Sequence, residues 1–130
     1  MVRPIAQALV SIAVAVMSAS CTQHDGARDA SPDEEAALGY ELRVPSDPRA
    51  EFVVLGKGGT PERPTIITRR TGSAGTTYSE REYDCAARKV RYLRSQESFA
   101  AMKASAPYHD PWGDIVEGSI ADVVRREVCK

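Results

Sequence analysis

Residues 112–129 read WGDIVEGSIADVVRREVC, and how this stretch is seated decides the fold. Ser119 stands where a helix N-cap should stand, and Asp122, three residues on, is an acidic capping-box partner. Ile120, Val123, Val124 and Val128 then recur at helical spacing and form one apolar stripe. A helix of roughly ten residues is not stable alone in water, because nucleation costs more than so few hydrogen bonds return. The stripe must therefore lie on something larger. Cys129 is about 180° round an ideal helix from Ile120, well off the stripe. For it to be tethered, the last turn must unwind or the helix must end near Val128. Glu127 falls nearer the centre of the stripe, and an ion pair with an arginine of the supporting sheet is the expectation there.

The upstream chain supplies that sheet. Val44-Pro45-Ser46-Asp47-Pro48 is turn chemistry, and Glu51-Phe52-Val53-Val54-Leu55 reads as a strand that ends at Gly56-Lys57-Gly58-Gly59. The glycines do not make a phosphate loop: the fixed spacing and Lys-Ser/Thr end are missing, and Thr60-Pro61-Glu62-Arg63-Pro64 cannot open a helix. Thr65 to Arg70 reads as a second strand. In Thr76 to Cys85, alternation puts Tyr83 and Cys85 on one face and Glu80, Glu82 and Asp84 on the other. A short turn over Ala86 and Ala87 returns Arg88 to Arg94 antiparallel beside it. Ser98 to Lys103 fits strand or helical turn, and its neighbours favour strand. Strands followed by one terminal helix make an α+β domain whose antiparallel sheet buries one face beneath the helix.

The N-terminus has the features of an export signal over residues 1–20. Arg3 gives a positive start, Ile5 to Met17 form an apolar run broken by Gln7 and Ser11, and Ser18-Ala19-Ser20 supply the small residues a signal peptidase reads. The run is short of the roughly twenty residues of a permanent span. Ala19-Ser20-Cys21 then resembles the cleavage site of bacterial lipoproteins, which implies acylation of Cys21 and a membrane anchor. Ser18 stands where that family usually has Leu, so ordinary cleavage without lipid is the alternative. Thr22 and Gln23, in place of an acidic residue, imply by the same resemblance an outer-membrane location, periplasmic or surface-exposed. From residue 21 to 43 the chain is polar and acidic, with Asp25, Asp29, Asp33, Glu34, Glu35 and Glu41, and reads as a flexible stalk before a domain over 44–130.

The sequence has three cysteines, and an odd number in an exported protein calls for an explanation. Acylation of Cys21 would leave Cys85 and Cys129 to pair in an oxidising compartment. Closing a loop of about 45 residues is worth roughly 4 kcal/mol in the chain-entropy treatment. Zinc is disfavoured, since no Cys-x-x-Cys pair exists and His24 and His109 sit at no ligand spacing.

Tyr83-Asp84-Cys85, the basic-aromatic strand through Arg88, Arg91 and Leu93, Trp112, Glu117-Gly118-Ser119 and the terminal Val128-Cys129 together resemble the bacterial surface-adhesin protein E-like family. The resemblance covers roughly residues 45–130. It implies a small lipoprotein with about six antiparallel strands, a C-terminal helix over one face, a Cys85–Cys129 bond between the two, Trp112 as a packing residue before the helix, and Gly118-Ser119 as the helix start. Many relatives carry Pro where this chain has Glu117.

No nucleophile-base pair, carboxylate pair or metal set stands at recognisable spacing, so no enzyme activity and no cofactor are expected. His109-Asp110 beside Trp112 reads as a solvated loop. Charge, however, is segregated along the chain: Arg69, Arg70, Arg81, Arg88, Lys89, Arg91 and Arg94 cluster against Glu80, Glu82 and Asp84, although the whole chain carries a formal net charge of −1. Interleaved with Tyr78 and Tyr92, these residues are a candidate face for a polyanionic glycan or an acidic protein segment. The plainer alternative is a solvated sheet face whose arginines pair with the three acids across strands. The functional expectation is an exported, lipid-anchored, adhesin-like protein that binds a host matrix protein, an envelope protein or a polyanion. Alternatives are a periplasmic accessory lipoprotein of an envelope assembly and a small-ligand binder between helix and sheet. Nucleic acid is excluded by compartment.

Overall fold

The computed structural model describes residues 38–130. The expected leader over 1–20, Cys21 and the acidic stretch as far as residue 37 lie outside the described residues. Within them, six strands form one antiparallel sheet in which each strand pairs with its neighbours in sequence: β1 (Tyr40–Glu41), β2 (Glu51–Gly59), β3 (Pro64–Gly72), β4 (Gly75–Asp84), β5 (Lys89–Gln96) and β6 (Gly113–Asp114). Two short helices complete it, α1 (Phe99–Ala104) and α2 (Ile120–Arg125). The fold is thus α+β, with an open antiparallel sheet and a C-terminal helix held to it.

Residues paired across strands share a face, so the register sorts the side chains. Val54 and Thr68, Ile66 and Arg81, Tyr83 and Val90, and Arg81 and Tyr92 are partners on the face that carries α2, called here the helix face. Ile67 with Glu80, Thr65 with Glu82, Glu82 with Arg91, and Asp84 with Lys89 occupy the opposite, ladder face. The core lies under α2: Val54, Ile66, Tyr83 and Val124 form one buried cluster, with Leu42, Val90, Ile120, Val128 and both cysteines packed around it. The Tyr83 hydroxyl donates to the Ala121 carbonyl at 2.9 Å, tying the strand to the helix backbone, and burial pushes the phenol above its ordinary pKa.

The terminal helix starts as its sequence implies. Ser119 is the N-cap and its hydroxyl accepts from the Asp122 N–H at 3.2 Å. Asp122 reaches back to the N–H of Gly118 rather than of the cap residue. The α-helical segment stops at Arg125 and the chain tightens rather than unwinds: Glu127 and Val128 N–H donate to the carbonyls three residues back, Val124 and Arg125, and Cys129 N–H donates to the Arg125 carbonyl at 2.8 Å. Cys129 is bonded to Cys85, their Cα atoms 5.5 Å apart. Such a bond marks a chain that matures in an oxidising compartment outside the cytosol.

Four local expectations are corrected. Ser98 to Lys103 is not a strand: Ser98 caps α1 by accepting from the Ala101 N–H, and Phe99 and Met102, three apart, turn inward on a run of good helix formers. The first strand does not end at Gly56. A bulge at Leu55 shifts the register, and Gly56 to Gly59 continue to pair with β3 as far as Pro64. Tyr40 and Glu41, in the stretch read as stalk, form a short edge strand against Val53 and Val54. Glu127 meets no sheet arginine; its carboxylate accepts from the Tyr40 hydroxyl and lies 3.7 Å from the Lys57 ammonium.

Candidate functional site

The ladder face is the most heavily charged surface of the sheet. Arg94 pairs with Glu80 at 3.0 Å, Arg91 with Glu82 at 2.7 Å, Arg63 with Asp84 at 3.0 Å and Lys89 with Asp114 at 2.8 Å. At the far end Arg69 bonds Glu51 at 2.6 Å. A bulge makes this row possible. Leu93 is the extra residue on β5 between the Tyr92–Arg81 and Arg94–Glu80 pairs, and without it strict alternation would send Arg94 to the face opposite Arg91.

Trp112 sits on this ladder. Its indole lies 4.8 Å from the Arg63 guanidinium and 4.3 Å from that of Arg91, each of which is held at its other side by a carboxylate. The ring is half-buried. The resemblance implied a packing role before the helix; here the ring packs on the side of the sheet away from α2, against two cations.

The seven basic residues singled out in the sequence do not share one face. Arg69, Lys89, Arg91 and Arg94 stand on the ladder face. Arg70 and Arg81 point to the helix face, where Arg70 pairs with Asp47 at 2.8 Å and Arg81 is buried. Arg88 is in the β4–β5 turn with φ 53°, 3.8 Å from Asp122. The cations left on the ladder are matched by acids.

Asp122 is the other charge cluster. It is almost fully buried, accepts from the Gly118 N–H at 3.1 Å and is bonded by Arg125 and Arg126 at 3.2 and 2.8 Å. The Gly118 amide, with the two arginines, holds its pKa down to about 2 against the opposing effect of burial. Its hydrogen-bond donors belong to the helix and its approach, and Arg88 of the β4–β5 turn lies 3.8 Å away, so the cluster secures α2 to the sheet rather than awaiting a ligand. His109 is exposed, and among the described residues no three His, Cys, Asp or Glu side chains gather as metal ligands.

Sequence reasoning missed three features: the Trp112 stack, the burial of Arg81 and the Tyr40–Glu127–Lys57 contact. The signal for the second was present, since Arg81 has the parity of Tyr83 and Cys85. For the others there was none, because Arg63 and Tyr40 lie in segments read as turn and stalk. Comparison with known proteins returns no matching family model, no matching curated protein and no matching solved structure.

Proposed function

We propose that this is a non-enzymatic, extracytoplasmic binding domain, anchored through a lipid on Cys21, that engages a protein partner through the ladder face around Trp112. One observation carries the reading: a half-buried tryptophan braced by two arginines, on a face rimmed by further charges. Tryptophan and arginine are the residues that most often dominate protein interfaces, and they do so when a shell of less important contacts excludes water around them. The side chains of Arg63, Lys89 and Asp114 are 46, 40 and 87 % exposed and form such a rim.

Charge balance selects the kind of partner. A polyanion needs uncompensated cations, whose counter-ions it displaces. Here each ladder cation already has a carboxylate opposite it, which favours a mixed-charge protein surface. The resemblance to the adhesin family points the same way and suggests a host matrix protein, with an envelope protein as the alternative. A ligand between helix and sheet is disfavoured because Val54, Ile66, Tyr83 and Val124 fill that contact.

The test is binding of the full exported chain to purified matrix proteins and to envelope fractions, with Trp112→Ala and Arg91→Ala beside the unmodified chain. Loss of binding in both variants, with only weak dependence on salt, supports the reading. Binding that survives Trp112→Ala, or that is abolished by heparin and by moderate salt, refutes it. Shaving intact cells with protease separates host-facing from periplasmic display.

A further inference from the structure

Arg81 is the anomaly of the helix face. Only 6 % of it is exposed. Its Nη1 donates to Thr68 Oγ1 at 2.7 Å and its Nη2 to the Tyr92 hydroxyl at 3.3 Å, with the Tyr92 ring 4.9 Å from the guanidinium. The Nε–H has no acceptor. No described carboxylate pairs with this cation, whereas every ladder guanidinium has one. A guanidinium cannot shed its charge and offers five donors, of which two are used here. Enclosing it with hydroxyl dipoles alone leaves most of its desolvation unanswered.

The surroundings say what belongs there. Thr68 and Ser79 face each other one row along the sheet, and both are buried, so on that side Arg81 meets hydroxyls, while Ile66 stands directly opposite it. The unused edge of the guanidinium, Nε with a neighbouring Nη, is the fork that takes a carboxylate through two parallel hydrogen bonds. One fixed positive charge matches a monoanion; a phosphate dianion would leave net negative charge enclosed. Tyr92, 36 % exposed, is the outermost of these side chains, beside the β5 bulge.

We propose that Arg81, flanked by Thr68 and Tyr92, is a carboxylate-receiving site on the helix face, on the opposite side of the sheet from the ladder and independent of the partner reading above. The carboxylate has two sources: a small free acid, or one of Asp25, Asp29, Asp33, Glu34 and Glu35, which precede the described residues.

The Nε–Hε resonance of Arg81, assigned by its disappearance in Arg81→Lys, reads the site in the folded full chain. It is followed while sodium acetate replaces sodium chloride at constant ionic strength, in the unmodified chain and in a chain with those five acids changed to Asn or Gln. A saturable shift with acetate in the unmodified chain assigns the site to a free carboxylate. A shift on neutralising the five acids, reversed by acetate, assigns it to the chain's own side chains. A resonance that moves in neither arm, or that follows chloride as it follows acetate, overturns the proposal.

Discussion

Replacing Cys85 and Cys129 together by Ala tests whether the terminal helix is held by its bond. The two residues are 44 apart in sequence, and opening a loop of that size is worth about 4 kcal/mol at 25 °C in the chain-entropy treatment. A domain of about ninety residues is stable by about 5–14 kcal/mol, so the loss is a large share of the whole. With a urea m-value of about 1–1.5 kcal/mol/M, the midpoint should fall by about 3 M. Trp112, the sole tryptophan of the sequence, reports the transition by fluorescence, and circular dichroism checks that it is a single one. The mechanism makes a second demand. The α-helical part of α2 is six residues long and cannot persist off the sheet, so in the bond-free protein the helix spends part of its time detached. Val124, fully buried on the sheet-facing side of α2, should cost about 2 kcal/mol as Val124→Ala in the bonded protein, and less without the bond. A coupling of at least about 1 kcal/mol between the two changes is therefore expected. A midpoint shift below about 1 M, or strictly additive losses, would show that the bond does not hold the helix.

Three further outcomes follow from single contacts. Ser119→Ala removes the hydroxyl that caps α2 and should cost about 1 kcal/mol in urea unfolding, with Ser119→Asp restoring most of it. Asp122 has a folded pKa of about 2, below its ordinary 3.8; its contribution is therefore complete above the ordinary value and is lost as pH falls through the folded one, so the melting temperature should drop between about pH 4 and 2 and Asp122→Asn should flatten that limb. Gly39→Ala would put a Cβ 2.2 Å from the Val54 carbonyl oxygen; β1 should lift from the sheet edge, at about 1–3 kcal/mol, seen as faster amide exchange across the β1–β2 pair.

The parts of this fold legible in the sequence are those whose cause is local. A serine before an apolar stripe caps a helix wherever it stands, and alternation over Thr76 to Cys85 places Tyr83 in the core because a strand permits only two faces. Bulges are different. Leu55 and Leu93 are ordinary strand residues, and nothing in their neighbours announces that each is extra; the shift exists only relative to the partner strand. With β5 read as unbroken, Arg94 goes to the face opposite Arg91 and the charge row disappears. Ser98 to Lys103 differs for a related reason: neighbouring strands favour strand there, whereas the serine cap and the alanines set a helix.

Position along the strands, rather than composition, divides the basic residues between the two faces. Arg81 lies two residues before Tyr83 and four before Cys85, so the alternation that turned those inward turns Arg81 inward too. A charge at a core-facing parity is read as exposed only if composition is allowed to outweigh position. Given position first, the stretch separates into two chemistries. On the ladder, cations stand opposite acids and leave a nearly neutral surface with one aromatic anchor, which suits recognition by shape and hydrogen bonding. On the helix face Arg70 and Lys57 have carboxylate partners, whereas Arg81 has hydroxyls alone, and a missing anion is the simplest completion of that arrangement. The imbalance of the sheet is thus confined to one guanidinium, Arg81, and the proposed carboxylate would answer that charge alone.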